Sequence, residues 1–266
     1  MVKQRNLYCR ISSSIANFKE KLLKRFDLLE WHWLKTMFLP TIFFGMYHPG
    51  DYLRLLWHRG KRKIFWCGGD IINLKNSSWR HLIWRLTAEH LCENEVEQRA
   101  LKELRIEAQI QPMFFGDITQ FPISYKHSNS PHAYISVHPG REGEYGLWAI
   151  EPIAKELRSI TFHIFGISGQ NRDNVIYHGQ VSEEEFNERI KKYQCAVRLN
   201  DFDGFADITA KSILLGQYPI TKIYYPNINQ VKNTEDLINF LESLKTKTEP
   251  NYLARSYWLN KLSKEI

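Results

Sequence analysis

The chain has 266 residues, 43% of them hydrophobic and 24% charged. That composition supports a packed core and excludes a disordered chain, and the length suits one large domain or two of roughly 100–150 residues each. Lys and Arg outnumber Asp and Glu by 36 to 29, which favours anionic partners. The excess is diffuse, with no basic stripe interleaved with aromatics, so nucleic acid is not an expected partner.

The elements fall in order along the chain. Residues 11–39 are predicted as an amphipathic helix: Ile15, Phe18, Leu22, Phe26 and Leu29 recur every three or four places, with Lys19, Lys21, Lys24 and Arg25 between them. Such a helix packs on the body of the protein or lies on an anionic membrane surface. Residues 41–47 (TIFFGMY) are a buried-strand candidate, and Pro49 can open the helix that Gly60 ends. Residues 63–67 are the next strand, followed by helices from Ser77 or Ser78 to about His90 and over 93–104, and a strand over 106–115. Residues 116–131, rich in Gly, Pro, Ser and Asn, are the best boundary.

In the second half, strands are predicted at 133–137, 160–165, 175–177, 195–199 and 219–223, with helices between most of them. Ser182 with Glu185 forms a capping box, and Asp207 and Thr234 are cap candidates. Short strands alternating with helices imply a mostly parallel α/β sheet, with functional loops at the carboxyl ends of the strands.

Three loops can carry chemistry. Residues 138–146 place Gly140, Gly143 and Gly146 around Arg141 and Tyr145 before a helix, which suits close backbone approach to phosphate. Residues 198–207 lead from a strand through Asp201, Asp203, Gly204 and Phe205 into a helix bearing Lys211. The Asp201/Asp203 pair can hold a divalent metal or serve only turn and capping duty. Residues 66–70 (WCGGD) put Asp70 at a strand end, expected to face a cleft, where His48, Asp51 and His90 are further candidates. Walker, GxSxG and HExxH motifs are absent from the sequence, which weakens ATPase, hydrolase and metalloprotease readings.

Cys9, Cys67, Cys92 and Cys195 have neither CxxC spacing nor a zinc pattern with histidines. Reduced thiols in a cytoplasmic protein, peripheral to a membrane if the first helix binds one, are the expectation.

At these loops the sequence resembles the glycosyltransferases with two Rossmann-like lobes, the GT-B architecture, and within them the retaining nucleotide-sugar group. The resemblance is best over 133–224, through ITFHIFG, NVIYHGQVSEEEF, CAVRLNDFDGFAD and GQYPI. FFGMYHPGDY, WCGGD and residues 93–115 are similar to a shortened acceptor lobe. The resemblance implies two lobes facing a cleft: an N-terminal helical segment at 1–40, an acceptor-side lobe at 41–125, a donor lobe at 126–248, and a helix at 249–266 crossing back to the first lobe. It implies a nucleotide-sugar donor, a glycan or lipid-linked acceptor, and no metal or other cofactor. The group's two glutamates, eight positions apart, match Asp203 and Lys211 here. A lysine donates only and cannot accept from ribose hydroxyls. The expected catalytic residues are Asp203, Asp70 and His48, with Gly140, Arg141, Gly143, Tyr145, Gly204, Phe205 and Lys211 on the donor. The alternative is a non-catalytic nucleotide- or glycan-binding protein on a degraded transferase fold.

Overall fold

The computed structural model describes residues 7–83 and 87–263. These residues form two units: one from residue 7 to residue 117 together with 202–205, and one of residues 118–201 with 206–263.

The first unit contains β1 (Tyr8–Ile11), α1 (Lys19–Arg25), β2 (Leu29–Glu30), β3 (Thr41–Phe44), α2 (Pro49–Trp57), β4 (Arg62–Phe65), α3 (Gly69–Lys75), α4 (Arg80–Ile83), β5 (Glu89–Cys92), α5 (Glu95–Glu103) and β6 (Gln109–Ile110). Its six strands are parallel, in the order β2-β1-β3-β4-β5-β6. All four residues of β3 are buried, as a central strand covered on both faces requires. One face packs Phe43, Ile64 and Trp66 against Tyr52, Leu55 and Leu101, and the other packs Ile42, Phe44 and Phe65 against Leu22 and Leu28.

The helix expected over 11–39 is corrected. Only Lys19–Arg25 is α-helical there, after a 3-10 turn at Ser13–Phe18. Tyr8–Ile11 instead forms a strand beside β3, and the chain leaves α1 through Asp27 at φ +49° to pair Leu29–Glu30 with Tyr8–Cys9. Short buried runs at three- and four-residue spacing do not separate one long helix from a strand, a turn and a short helix. The helix expected from Ser77 or Ser78 to about His90 is likewise replaced by the short α4 and the strand β5, because His90, Leu91 and Cys92 are buried in the sheet. The part of that expectation on 84–86 lies outside the described residues.

The second unit contains β7 (His132–Ser136), α6 (Leu147–Glu156), β8 (Thr161–Phe165), β9 (Val175–Gly179), α7 (Glu183–Ile190), β10 (Cys195–Arg198), α8 (Asp207–Leu214), β11 (Ile220–Thr221), β12 (Asn229–Gln230), α9 (Thr234–Ser243) and α10 (Tyr252–Leu262). Its six parallel strands run β12-β11-β10-β7-β8-β9. Ala133, Ile135, Ile164 and Val197 of the sheet pack with Ile150, Ile153, Leu237 and Leu241 of α6 and α9. Ser182 caps α7 as expected, accepting from Glu185 N–H. Two caps shift by one residue: Asn233, rather than Thr234, accepts from Asp236 N–H, and Asp207 is the first residue of α8 rather than its cap. α10 packs on α8 within this unit, where Arg255 donates to Leu214 O at 2.8 Å.

The strand orders locate the ligand-competent ends. Where neighbouring strands send their connections to opposite sides, a crevice opens at their carboxyl ends. The first sheet reverses between β1 and β3, the second between β7 and β10.

Candidate functional site

At the second sheet's reversal point, the loop after β7 meets the end of β10. Tyr145 joins them: the Arg198 guanidinium lies 4.0 Å from its ring centroid, and that of Arg141 lies 5.5 Å away. Both distances suit cation–π attraction. Arg198 is half-buried at the last position of β10. Sequence reading placed it in the loop motif but assigned it no role. Its signal was its place as the last cation before the Asp201/Asp203 loop.

The loop glycines divide by role. Gly146 has φ +84° and opens α6, and a β-carbon on it would lie 2.5 Å from Leu199 Cβ. Its bareness lets the two loops touch. Gly140 has φ +79°, and added β-carbons on Gly140 and Gly143 would meet nothing within 4 Å. That backbone is open to a ligand. Glu142 accepts from Gly140 N–H at 3.0 Å, and Glu144 takes the Arg141 side chain in an ion pair between exposed groups. Arg141 holds the Glu144 carboxyl below its ordinary range. Beside Arg198, Asn200 is buried, and its Oδ1 has no hydrogen-bond partner among the described residues. Asp201 is exposed and pairs with Lys222 at 2.6 Å.

Lys211 departs from its expected place as a cation reaching for phosphate. Its side chain is 3% exposed, its Nζ lies 2.7 Å from Asp207 and 3.5 Å from Glu183, and the rings of Phe121 and Phe186 lie 5.6 and 5.4 Å away. Two carboxylates and two aromatic faces already satisfy this ammonium.

The expected first-lobe residues sit at the carboxyl ends of the first sheet. His48 is exposed in front of α2, and its Nε2 is 2.8 Å from Ser14 Oγ, so the loops after β1 and β3 meet there. Asp51 ties the same two loops, accepting from Ser12 Oγ at 2.6 Å, Arg10 at 3.1 Å and His48 N–H at 3.1 Å. Asp70 is corrected: it faces no cleft. It is wholly buried and accepts from Met46 N–H at 2.9 Å and Cys67 N–H at 3.0 Å, clamping the loops after β3 and β4. Burial raises its carboxyl to about 6. His90 is buried beneath Trp66, whose indole N–H donates to it.

Sequence reading missed Glu93 and Glu97, which hold Asp203, Gly204 and Phe205. Phe205 N–H donates to Glu93 Oε2 at 3.0 Å, Asn94 Nδ2 donates to Asp203 O at 2.7 Å, and Asp203 Oδ1 accepts from Gly204 N–H at 3.1 Å. Glu97 accepts Glu93 N–H at 2.6 Å. Burial raises both glutamates well above the carboxylate range, and Glu93 raises Glu97 further. Two glutamates at i and i+4 beginning a helix read as surface or capping residues; only the close approach of Gly204 explains their burial. Among the described residues no group of three or more His, Cys, Asp or Glu could hold a metal ion.

No protein-family model matches the chain, and no curated protein matches it. Solved structures do match. Sucrose-phosphate synthase from Thermosynechococcus elongatus aligns at TM-score 0.63 and 9% identity, over 98% of this chain and 92% of that one. HepE from Anabaena, in complex with UDP and glucose, aligns at 0.60 and 9%, over 96% and 98%. A TarM variant from S. aureus, in complex with Fondaparinux, alpha-GlcNAc-glycerol and UDP, aligns at 0.58 and 12%, over 83% and 52%. The chain thus spans about half the length of TarM. These likenesses show a GT-B glycosyltransferase-like fold, as the resemblance of the sequence implied.

Proposed function

We propose that the chain is a glycosyltransferase that takes sugar from a nucleoside-diphosphate donor bound at the second sheet's reversal point. The observation carrying this reading is the Arg198–Tyr145–Arg141 cluster beside the open glycines 140 and 143. UDP accompanies two of the structures with this fold, which supports a nucleoside diphosphate as ligand.

Transfer breaks the C–O bond from the sugar to the diphosphate and forms one from the same carbon to the acceptor oxygen, whose proton passes to the leaving diphosphate, as charge develops on the leaving phosphate. Arg198, Arg141 once released from Glu144, and the backbone N–H groups of the open loop stabilise that charge. The resemblance carries the donor-sugar role to Asp203, whose turn within the first unit is fixed by Glu93 and Asn94 through its backbone. His48 positions an acceptor hydroxyl, with Asp70 and Asp51 holding its loop rather than touching substrate. Lys211 is reassigned from phosphate ligand to an anchor for the start of α8. Metal independence belongs to the same proposal. Lys222 engages Asp201, and Asp203 engages its own turn, so neither carboxylate of the pair is held ready for a cation.

The second reading, a nucleotide- or glycan-binding protein without transfer, is favoured by the burial of Lys211 at the position of the group's second glutamate. A panel of nucleotide sugars incubated with the chain, with and without chelator, separates the two. Donor consumption that survives chelation and falls in Asp203→Ala supports transfer. Nucleotide binding with no consumption of any donor supports the binder, and consumption that chelator abolishes overturns the metal-free step.

A further inference from the structure

At the amino-terminal edge of the first sheet, opposite the loops just described, the connector over 31–39 enters β3 and the turn over 58–61 enters β4. Arg59 and Gly60 N–H groups donate to Met37 O at 2.8 and 3.0 Å, and the Trp33 and Trp57 rings lie 6.2 Å apart. Trp31 and Phe43, 6.4 Å apart, back the connector from inside. From this braced base, large apolar side chains project outward: Leu34 is 80% exposed, Phe38 68%, Trp57 58%, and Leu53, one turn earlier on α2, 47%. Soluble surfaces scatter such residues singly, and a gathered set marks an interaction face.

The surrounding charge selects the partner. Residues 31–39 and 52–63 contain no Asp or Glu, whereas Lys35, Arg59 and Lys61 are exposed among the apolar groups. The nearby carboxylate of Glu30 pairs with Lys19. Two-fold pairing of this face with a second copy would press these cations against their equivalents. Tryptophans with a cationic rim match the interfacial layer of an anionic bilayer.

We propose that this face docks the chain onto a membrane containing anionic lipid. The face keeps residues 31–39 of the segment expected to lie on a membrane and adds residues 53–61, while two cations of its earlier part are engaged elsewhere, Lys19 with Glu30 and Arg25 with Gly116 O at 2.7 Å. Among the described residues no helix is long and apolar enough to cross a membrane.

Co-sedimentation with vesicles of phosphatidylcholine alone, or mixed with phosphatidylglycerol, tests it. Binding to the anionic vesicles should exceed binding to the neutral ones by roughly tenfold or more and fall with salt. Leu34→Ser with Phe38→Ser, both at exposed positions, should cost roughly tenfold or more. Lys35→Ser and Lys61→Ser should each cost about fivefold on anionic vesicles only. Equal binding to both vesicles, no binding to either, or parental binding by the Leu34/Phe38 variant overturns the proposal. So does a dimer, detected by light scattering, that the same variant dissociates.

Discussion

Gly204 has no room for a side chain: a β-carbon there would lie 1.9 Å from Glu93 Oε2. Gly204→Ala should therefore push the turn off its buried carboxyl, costing about 1–3 kcal/mol and lowering the denaturation midpoint of the first unit. Gly143 is the contrasting case, since its added β-carbon would meet nothing. Gly143→Ala should change stability by less than about 0.5 kcal/mol. It should nevertheless weaken nucleotide binding, because a ligand needs the bare backbone. Glu144→Gln removes the carboxylate that holds Arg141, and calorimetry should show tighter nucleotide binding; weaker or unchanged binding would remove Arg141 from the site. Lys211→Glu places a third carboxylate beside Asp207 and Glu183 in a buried spot. It should destabilise the second unit, visible in a thermal melt, rather than restore a ribose acceptor. At this scale the sequence exposed residue types but not their surroundings. Asp70 and Lys211 stood at plausible ligand positions, and only burial reveals that their charges are already spoken for.

The strands and helices divide by unit in their response to pH. A chain of imidazoles crosses the second sheet. Arg189 of α7 donates to His178 Nδ1 on β9, His163 on β8 lies 2.9 Å from His178, and His132 on β7 lies 2.8 Å from His163. An arginine cannot accept, so His178 Nδ1 must, and each ring then donates from Nε2 to the next with all three neutral. Burial, then the neighbouring rings and Arg189, push His163 down to about 3, and burial lowers His132 and His178. The unfolded chain therefore binds more protons as pH falls below about 6.5, and the second unit should lose stability from there down to about 3. The first unit carries the opposite shift. Asp70, Glu93 and Glu97 are raised, so the folded state binds more protons above the ordinary carboxylate range, and stability should fall as pH rises through about 6. Burial pushes His90 down to about 4, which works against Asp70 over the same range, about 4 to 6.5, so the net fall rests on Glu93 and Glu97, both raised well above the carboxylate range. Hydrogen exchange resolved by unit should show these opposed trends, with Glu97→Gln flattening the first; identical slopes for both units would refute them. Elements with regular periodicity, such as β3, α2, β8 and α9, were legible in the sequence. β1 and β5 were not, because four residues that mix apolar with charged or polar side chains (YCRI and EHLC) carry no period of their own and are decided by the sheet that receives them.

For the whole molecule, the alternation of strands and helices pointed to a mostly parallel α/β sheet, and the resemblance to the GT-B group implied two Rossmann-like lobes. The fold matches structures only 9–12% identical in sequence. At that distance the fold persists through burial patterns and strand order, while ligand contacts do not transfer, so the proposed donor site rests on this chain's own side chains. Calorimetric titration with uridine, guanosine, adenosine and cytidine diphosphates tests that site most directly, using the parent chain and Arg198→Ala. The expected result is saturable binding of at least one of them, with Arg198→Ala losing about 1.5–3 kcal/mol, the range for a hydrogen bond to a charged group. Binding of none of the four, or equal affinity in Arg198→Ala, would contradict a nucleoside-diphosphate site at the β7/β10 reversal.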